Sequence, residues 1–508
     1  MSKIQIGWAE EKFAFKKPVA LMGQFAERIS EYEEKPLTAT ALAISSDNEQ
    51  MILCSTDLVS VSYPLVNAVK EILKNDNGGI DLDKIVISAI HTHTGPGYTG
   101  KGYGAIERTI GEVSSLRKLL EAELPKGKKY IESANISEND AIESNDDLLK
   151  EISSKIAKAI KTAWDNRAYG SYSNAFGRAA VGMCRRVAYS DGSAQMWGDT
   201  NKAVFSELEG GNDSGIELLY VFDNNKKLTG IVANLACPAQ CVQHRLFISP
   251  DFWGEAKMLL RKHFGEDIFL LPLCSAAGDQ CPVDLVRWVE PYTDVNDPNL
   301  KRNNPPKRKA DPSMFDLDGM RKAGRRVANE IINVYDEGLD DAQSDVVFEH
   351  HIHKMQLPLR RGTLSEELEA KKEIRDYLVN KDGNVDFNDV ANLQIHLGLL
   401  QRMKIQDKMD IIETEVHIMR LGTIAIATNP FELFLDYGNQ IKARSLAEQT
   451  FIIQLANGAE GYLPTEKAEK GGHYSAFISS GKVGHIGGEQ LVRETLTDIN
   501  NMFSKKTS

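Results

Sequence analysis

The chain has 508 residues, 42% hydrophobic and 26% charged, with 39 Gly, 17 Pro and 6 Cys. This is ordinary globular composition, which excludes collagen-like, disordered and disulfide-scaffold classes and leaves about two to four domains or one large α/β unit. A formal charge of −12, from 60 Lys plus Arg against 72 Asp plus Glu, repels phosphate backbones and anionic membranes, so neither nucleic acid nor a stable membrane association is expected.

At the N-terminus, Glu10, Glu11, Lys12, Lys16 and Lys17 stand where a signal peptide needs an uninterrupted apolar run. No stretch reaches the roughly 18 apolar residues of a spanning helix, and the expected compartment is the cytoplasm. Cys54, Cys184, Cys237, Cys241, Cys274 and Cys281 are therefore read as free thiols.

Apolar, β-branched runs predict strands at Thr38 to Ala43, Met51 to Ser55, Lys84 to Ile90, Ile216 to Phe222, Leu228 to Leu235, Ile268 to Leu273, Glu415 to Leu421, Ile424 to Ala427 and Phe451 to Leu455. Helical periodicity lies between them at Leu65 to Lys74, Leu148 to Trp164, Trp253 to His263, Leu317 to Val334, Ser365 to Val379, Phe434 to Leu446 and Gly488 to Met502. Thr363 is the N-cap candidate of the fifth helix, with Glu366 and Glu367 in its first turn. The alternation predicts an α/β fold of mixed β-sheets flanked by α-helices, one catalytic unit over residues 1–508.

Two segments interrupt it. Glu290 to Pro312 carries five prolines and the basic run Lys301 to Lys309, which reads as a solvated surface excursion. In Asn380 to Asp389 the spacing of Asp382, Asn384 and Asp386 imitates a calcium loop, but Phe387 and Leu393 stand where an EF-hand needs Gly and Glu. The triplet His350, His351 and His353 falls in a predicted strand with His351 and His353 on one face, read as solvated.

Four turns following strands, and a fifth shortly after one of them, carry candidate chemistry. His91-Thr92-His93-Thr94-Gly95-Pro96-Gly97 places two imidazoles where α/β proteins hold ligands, and neutral imidazoles suit a borderline metal. Asn457 to Pro464 and Gly471 to Tyr474 are glycine-rich turns bearing Tyr462, His473 and Tyr474. In Cys274 to Pro282, Asp279 could orient a histidine or water, and Cys281 is either a buried structural thiol or a nucleophile. Glu432, between a strand and a helix, is either a helix N-terminal carboxylate or a metal ligand. Gly481-Lys482-Val483-Gly484 lacks the spacing of a phosphate-binding loop.

Together these motifs, with Met22-Gly23-Gln24, resemble the neutral/alkaline ceramidase family of zinc-dependent amidases, in consistent order over most of the chain. The resemblance implies a divalent metal, zinc, held by two His, a Glu and a Tyr, with a bound water attacking an amide carbonyl. His91, Glu432 and Tyr462 are the implied ligands. His93 is implied as a substrate-side acid/base or hydrogen-bonding group, Tyr474 as a substrate or oxyanion contact, and Arg185 as a substrate-binding residue. The family's second His ligand lies in a turn that here reads Ala236-Cys237-Pro238-Ala239-Gln240, which leaves His244 as its substitute, and its active-site Ser falls on Cys281.

The expected function is metal-dependent hydrolysis of an amide-like bond in a soluble polar substrate, since no length remains for the family's immunoglobulin-like C-terminal domain. One alternative keeps the metal and acts as hydrolase or lyase on a uronic-acid-containing sugar or oligosaccharide, with Arg185 or Arg186 pairing its carboxylate. The other is a catalytically silent metal or ligand binder.

Overall fold

The computed structural model describes residues 2–24, 28–76, 78–98, 113–131, 141–287, 314–339 and 341–504. The predicted excursion at 290–312 lies outside the described residues.

Eight strands form the larger sheet, in the order Phe269–Cys274, Leu228–Leu235, Gly215–Asp223, Ala168–Arg178, Gln5–Lys12, Thr38–Ser45, Gln50–Thr56 and Ile85–Ala89. A second sheet runs Phe348–Pro358, Ile411–Leu421, Ile424–Thr428 and Gln449–Ile453. Three neighbouring pairs within these sheets are parallel, namely Gln50–Thr56 with Ile85–Ala89, Leu228–Leu235 with Phe269–Cys274, and Ile424–Thr428 with Gln449–Ile453. The sheets are thus mixed.

Strand alternation sends successive side chains to opposite faces. Leu42, Ile44, Met51, Leu53, Val86, Leu219 and Val221 turn inward to meet Met419, Leu421, Ile424, Ile426, Phe451 and Ile453 of the second sheet. The opposite faces are also covered, so these strands read as nearly continuous apolar runs. Ala39, Ala41, Ala43, Ile52, Ile85 and Ile87 pack on the helices Tyr63–Lys74 and Asn145–Asp165. Ile216, Leu218, Tyr220 and Ile231 pack on Phe252–Phe264 and Asp316–Asn333. On the outer face of the smaller sheet lie Leu435–Arg444 and His485–Ser504. The result is a helix–sheet–sheet–helix sandwich in which each fully buried Leu, Ile or Phe side chain contributes about 1.5–3 kcal/mol.

A helical lobe, built by Val113–Ala122, Leu364–Asn380, Phe387–Asn392 and Gln394–Gln406, closes its own cluster around Leu116, Ile374, Val390 and Leu397. Thr363 opens Leu364–Asn380 with the expected capping box to Glu366. Asp386 is the N-cap of Phe387–Asn392, so the calcium-like spacing reflects turn and cap chemistry. Among the described residues no helix is long and apolar enough to cross a membrane.

Candidate active site

The three parallel pairs decide where the site lies, because both strands of each pair release their following turns at the same end of the sandwich. Ile85–Ala89 leads to His91 and His93, Leu228–Leu235 to Gln240, and Phe269–Cys274 to Gly278 and Asp279. From the second sheet, Ile424–Thr428 leads to Glu432, and Gln449–Ile453 to the turn from Asn457 to Tyr462. Buried amides join the two sheets there. Asn457 Nδ2 donates to the Ile85 carbonyl and its Oδ1 accepts from the Ile87 amide, both at 2.8 Å. Gln454 Oε1 accepts from the Ala277 and Leu433 amides at 3.0 Å.

His91, His93, Glu432, Tyr462 and Tyr474 line one cavity of ≈ 50 Å³ with Met22, Gly23, Val59, Ser60, Leu455, Ala459 and Gly461. That volume holds a water and a small reacting group. Several of its turns carry left-handed backbone at non-glycine residues, with φ of 65° at His91, 53° at Leu455, 72° at His473 and 73° at Ser475. Such positions cost about 1–3 kcal/mol each and persist where surrounding structure enforces them, as at functional sites.

His91 Nδ1 lies 2.6 Å from the Val59 carbonyl oxygen. A carbonyl only accepts, so Nδ1 carries the hydrogen and Nε2 faces the cavity with a lone pair in the neutral ring. His91 Nε2 is 3.3 Å from His93 Nε2 and 3.5 Å from Glu432 Oε2. Glu432 and Tyr462 are register partners on two short parallel strands, which sets their side chains side by side. Tyr462 donates to the Tyr474 hydroxyl at 3.4 Å. Burial, then the neighbouring Glu432 carboxylate, holds Tyr462 well above the usual phenol range and pushes Tyr474 up to about 12.

Arg185 and Arg186 divide two tasks. Arg185 lies buried behind Tyr462, donating at 3.4 Å to its hydroxyl, at 2.9 Å to the Gly278 carbonyl and at 3.3 Å to Gln240 Oε1. Arg186 pairs with buried Glu209 and donates to the carbonyls of Tyr474 at 3.0 Å and Gly472 at 2.8 Å. It therefore fixes the turn that presents Tyr474.

The other predicted site residues lie elsewhere. His244 does not line the cavity; its ring stacks on Phe315 at 4.9 Å and its Nε2 is 3.6 Å from Asp316 Oδ1. Cys281 is buried on a two-residue strand paired with Met183–Cys184, its thiol pushed up to about 12 by burial. A thiol held protonated is not an activated nucleophile. Asp279 Oδ1 accepts from the Leu435 amide at 2.9 Å, at the start of the following helix. His351 is exposed as expected, whereas His353 is half-buried, with Nδ1 2.6 Å from the Asp498 carboxylate, and His350 is buried. Among the described residues no three His, Cys, Asp or Glu side chains form a ready metal cluster.

Two contributors escape sequence reasoning. Gln240 Nε2 is 2.8 Å from His93 Nε2, and Arg28 donates to the carbonyls of His93 at 2.7 Å and Met22 at 2.9 Å. The only sequence signal for Gln240 is its place in a turn just beyond a strand end.

No protein-family model matches the chain, and no curated protein matches it by sequence. Solved structures do. The neutral ceramidase of Pseudomonas aeruginosa superposes with a TM-score of 0.64 at 15% identity, over 98% of this chain and 74% of that one. A ceramidase complexed with C2 superposes with a TM-score of 0.64 at 12% identity, over 99% of this chain and 76% of its own. The fold is that of the neutral ceramidases.

Proposed function

We propose that this protein hydrolyses an amide-like bond in a small, polar, soluble substrate at a divalent-metal site that includes His91, Glu432 and Tyr462. One observation carries the reading: three side chains from distant turns line one cavity within a neutral ceramidase fold.

The donor types of these side chains are those that a zinc ion takes. His91 Nδ1 is anchored on a backbone carbonyl and its Nε2 points toward Glu432, the outer-shell arrangement that orients a ligating imidazole. Nitrogen and oxygen donors of this kind suit a borderline metal. Zinc bound there would supply a Lewis acid for the carbonyl and lower the pKa of water to about 7. Tyr474, a neutral phenol, would donate its hydroxyl hydrogen to the carbonyl oxygen as negative charge develops. Arg185, buried behind Tyr462, would offset anionic charge on the cavity side. The polar side chains of Ser60, His91, His93, Glu432, Tyr462 and Tyr474 on the wall favour a polar substrate over a long acyl chain.

The test is a parallel turnover assay of the zinc-loaded protein on short N-acyl polar amides, short-chain ceramides and a panel of acidic and neutral oligosaccharides. Release of amine from the polar amides is the expected result. Efficient ceramide cleavage alone would overturn the substrate assignment, and turnover of sugars alone would overturn the amidase assignment.

A further inference from the structure

Resting on the amidase reading, we infer that the acyl side of the substrate is no larger than an acetyl group, so that the substrate class is N-acetylated polar amines.

Size is the first argument. Among the described residues the cavity has a volume of ≈ 50 Å³. A single water takes about 10–15 Å³ on that measure, so the space holds about three to five non-hydrogen atoms. The methyl, carbonyl carbon, carbonyl oxygen and nitrogen of an acetamide unit fill it. A bound metal ion would only reduce the space.

The wall offers a partner to each of these atoms. His91 stands 3.3 Å from His93 and 3.5 Å from Glu432, and Tyr462 stands 3.4 Å from Tyr474, so the polar groups gather into a face suited to the carbonyl and the nitrogen. Apolar contact comes from Met22, Val59, Leu455 and Ala459, which suits a methyl.

That apolar wall is held in place. Met22, Val59 and Leu455 are buried. Leu455 belongs to the core cluster between the larger sheet and its helices, and its left-handed backbone donates to the Phe431 carbonyl at 3.3 Å. The Met22 amide donates to the Gly95 carbonyl at 3.0 Å, while its own carbonyl accepts from Arg28 at 2.9 Å. The Val59 carbonyl lies 2.6 Å from His91 Nδ1. A longer acyl chain would therefore press on close-packed core. The amine portion meets no such limit on the solvent side, where the Glu432 side chain is 17% exposed.

The deciding experiment measures kcat/KM of the full-length, zinc-loaded protein on the N-acetyl, N-propionyl, N-butyryl and N-hexanoyl derivatives of glucosamine and of serinol. Amine release should be fastest from the acetyl member and fall about 10- to 200-fold with each added methylene, the discrimination that a fixed apolar wall imposes. Met22→Ala removes the thioether chain from that wall and should raise the butyryl-to-acetyl ratio of kcat/KM by about 10-fold or more. A variant that is merely destabilised would lower both substrates together and leave their ratio alone. Equal or faster release from the butyryl or hexanoyl member by the wild type, or an unchanged ratio in Met22→Ala, would overturn the inference and leave the amidase reading intact. No release from any member would overturn the amidase reading and the inference with it.

Discussion

At Gly23 the backbone has φ of 105°, and a β-carbon there would lie 2.4 Å from His93 Cγ. The glycine is required twice, by its conformation and by the imidazole it supports. Gly23→Ala must therefore displace the ring, and a shift of about 1 Å in a reacting group costs on the order of 100-fold in rate. Measured kcat/KM should fall by that order while a folded melt persists; unchanged activity would show that the ring position is not critical. Cys281→Ala should keep measurable turnover, because its thiol is buried, protonated and off the cavity wall. Complete loss in that variant with metal still bound would restore the nucleophilic role.

Arg186 is a residue of another kind, since its partner Glu209 is also buried. Removing one member of a buried ion pair leaves the other without compensation, typically at a cost of about 3–5 kcal/mol. Arg186→Leu should lower unfolding free energy by that amount in a urea titration. A loss below about 1 kcal/mol would mean that Glu209 finds water or another partner.

Between elements, a chain of hydrogen bonds runs through the second sheet to the site. His350 Nδ1 donates to the Gln50 carbonyl at 3.0 Å, and its Nε2 accepts from His417 Nδ1 at 2.9 Å. His417 Nε2 stands 3.1 Å from Asn457 Nδ2, at the head of the turn that carries Tyr462, and 3.4 Å from the Glu415 carboxylate. The His350 links require that its ring be neutral. Burial, then the neighbouring His417, pushes His350 down to about 2. An unfolded histidine protonates near 6.5, so below that pH the unfolded chain takes up a proton that the folded chain refuses, and stability is lost as pH falls. Asp251 and Asp279 act in the opposite sense, since burial raises each to about 6 and stability grows as they take up protons from pH 6 downward. The His350 contribution is isolated by comparison with His350→Gln. The stability advantage of the wild type should shrink by about 1 kcal/mol between pH 7.5 and 5.5; a difference independent of pH would contradict a neutral His350 ring.

These elements also show what the sequence can display. Leu228–Leu235 is found with its observed bounds because a strand covered on both faces is apolar throughout. Gln5–Lys12 was not predicted, since Glu10, Glu11 and Lys12 disguise it. Glu10 is tolerated because Lys257 and Arg261 reach it at 2.7 and 3.0 Å, outweighing the cost of burial and holding it at about 2. Partners so distant in sequence leave no local pattern. Likewise His91, Glu432 and Tyr462 were legible as residue types after strand ends, whereas Gln240 was not, because an amide becomes meaningful only beside the histidine it orients.

For the whole molecule, the sandwich explains why the site sits where it does. Three parallel strand pairs from two sheets release their turns at one end, and the buried amides of Asn457 and Gln454 tie those turns across the sheet boundary. The described sandwich thus supports a small cavity, and the activity proposed there is metal-dependent amide hydrolysis. The most direct measurement is amine release from a short N-acyl polar amide by one sample, before and after removal of metal with a chelator and again after addition of one equivalent of zinc. The account predicts loss of turnover on removal and recovery on zinc addition, with neither step having any effect in His91→Ala. Amide hydrolysis that continues at full rate in the stripped protein would contradict it.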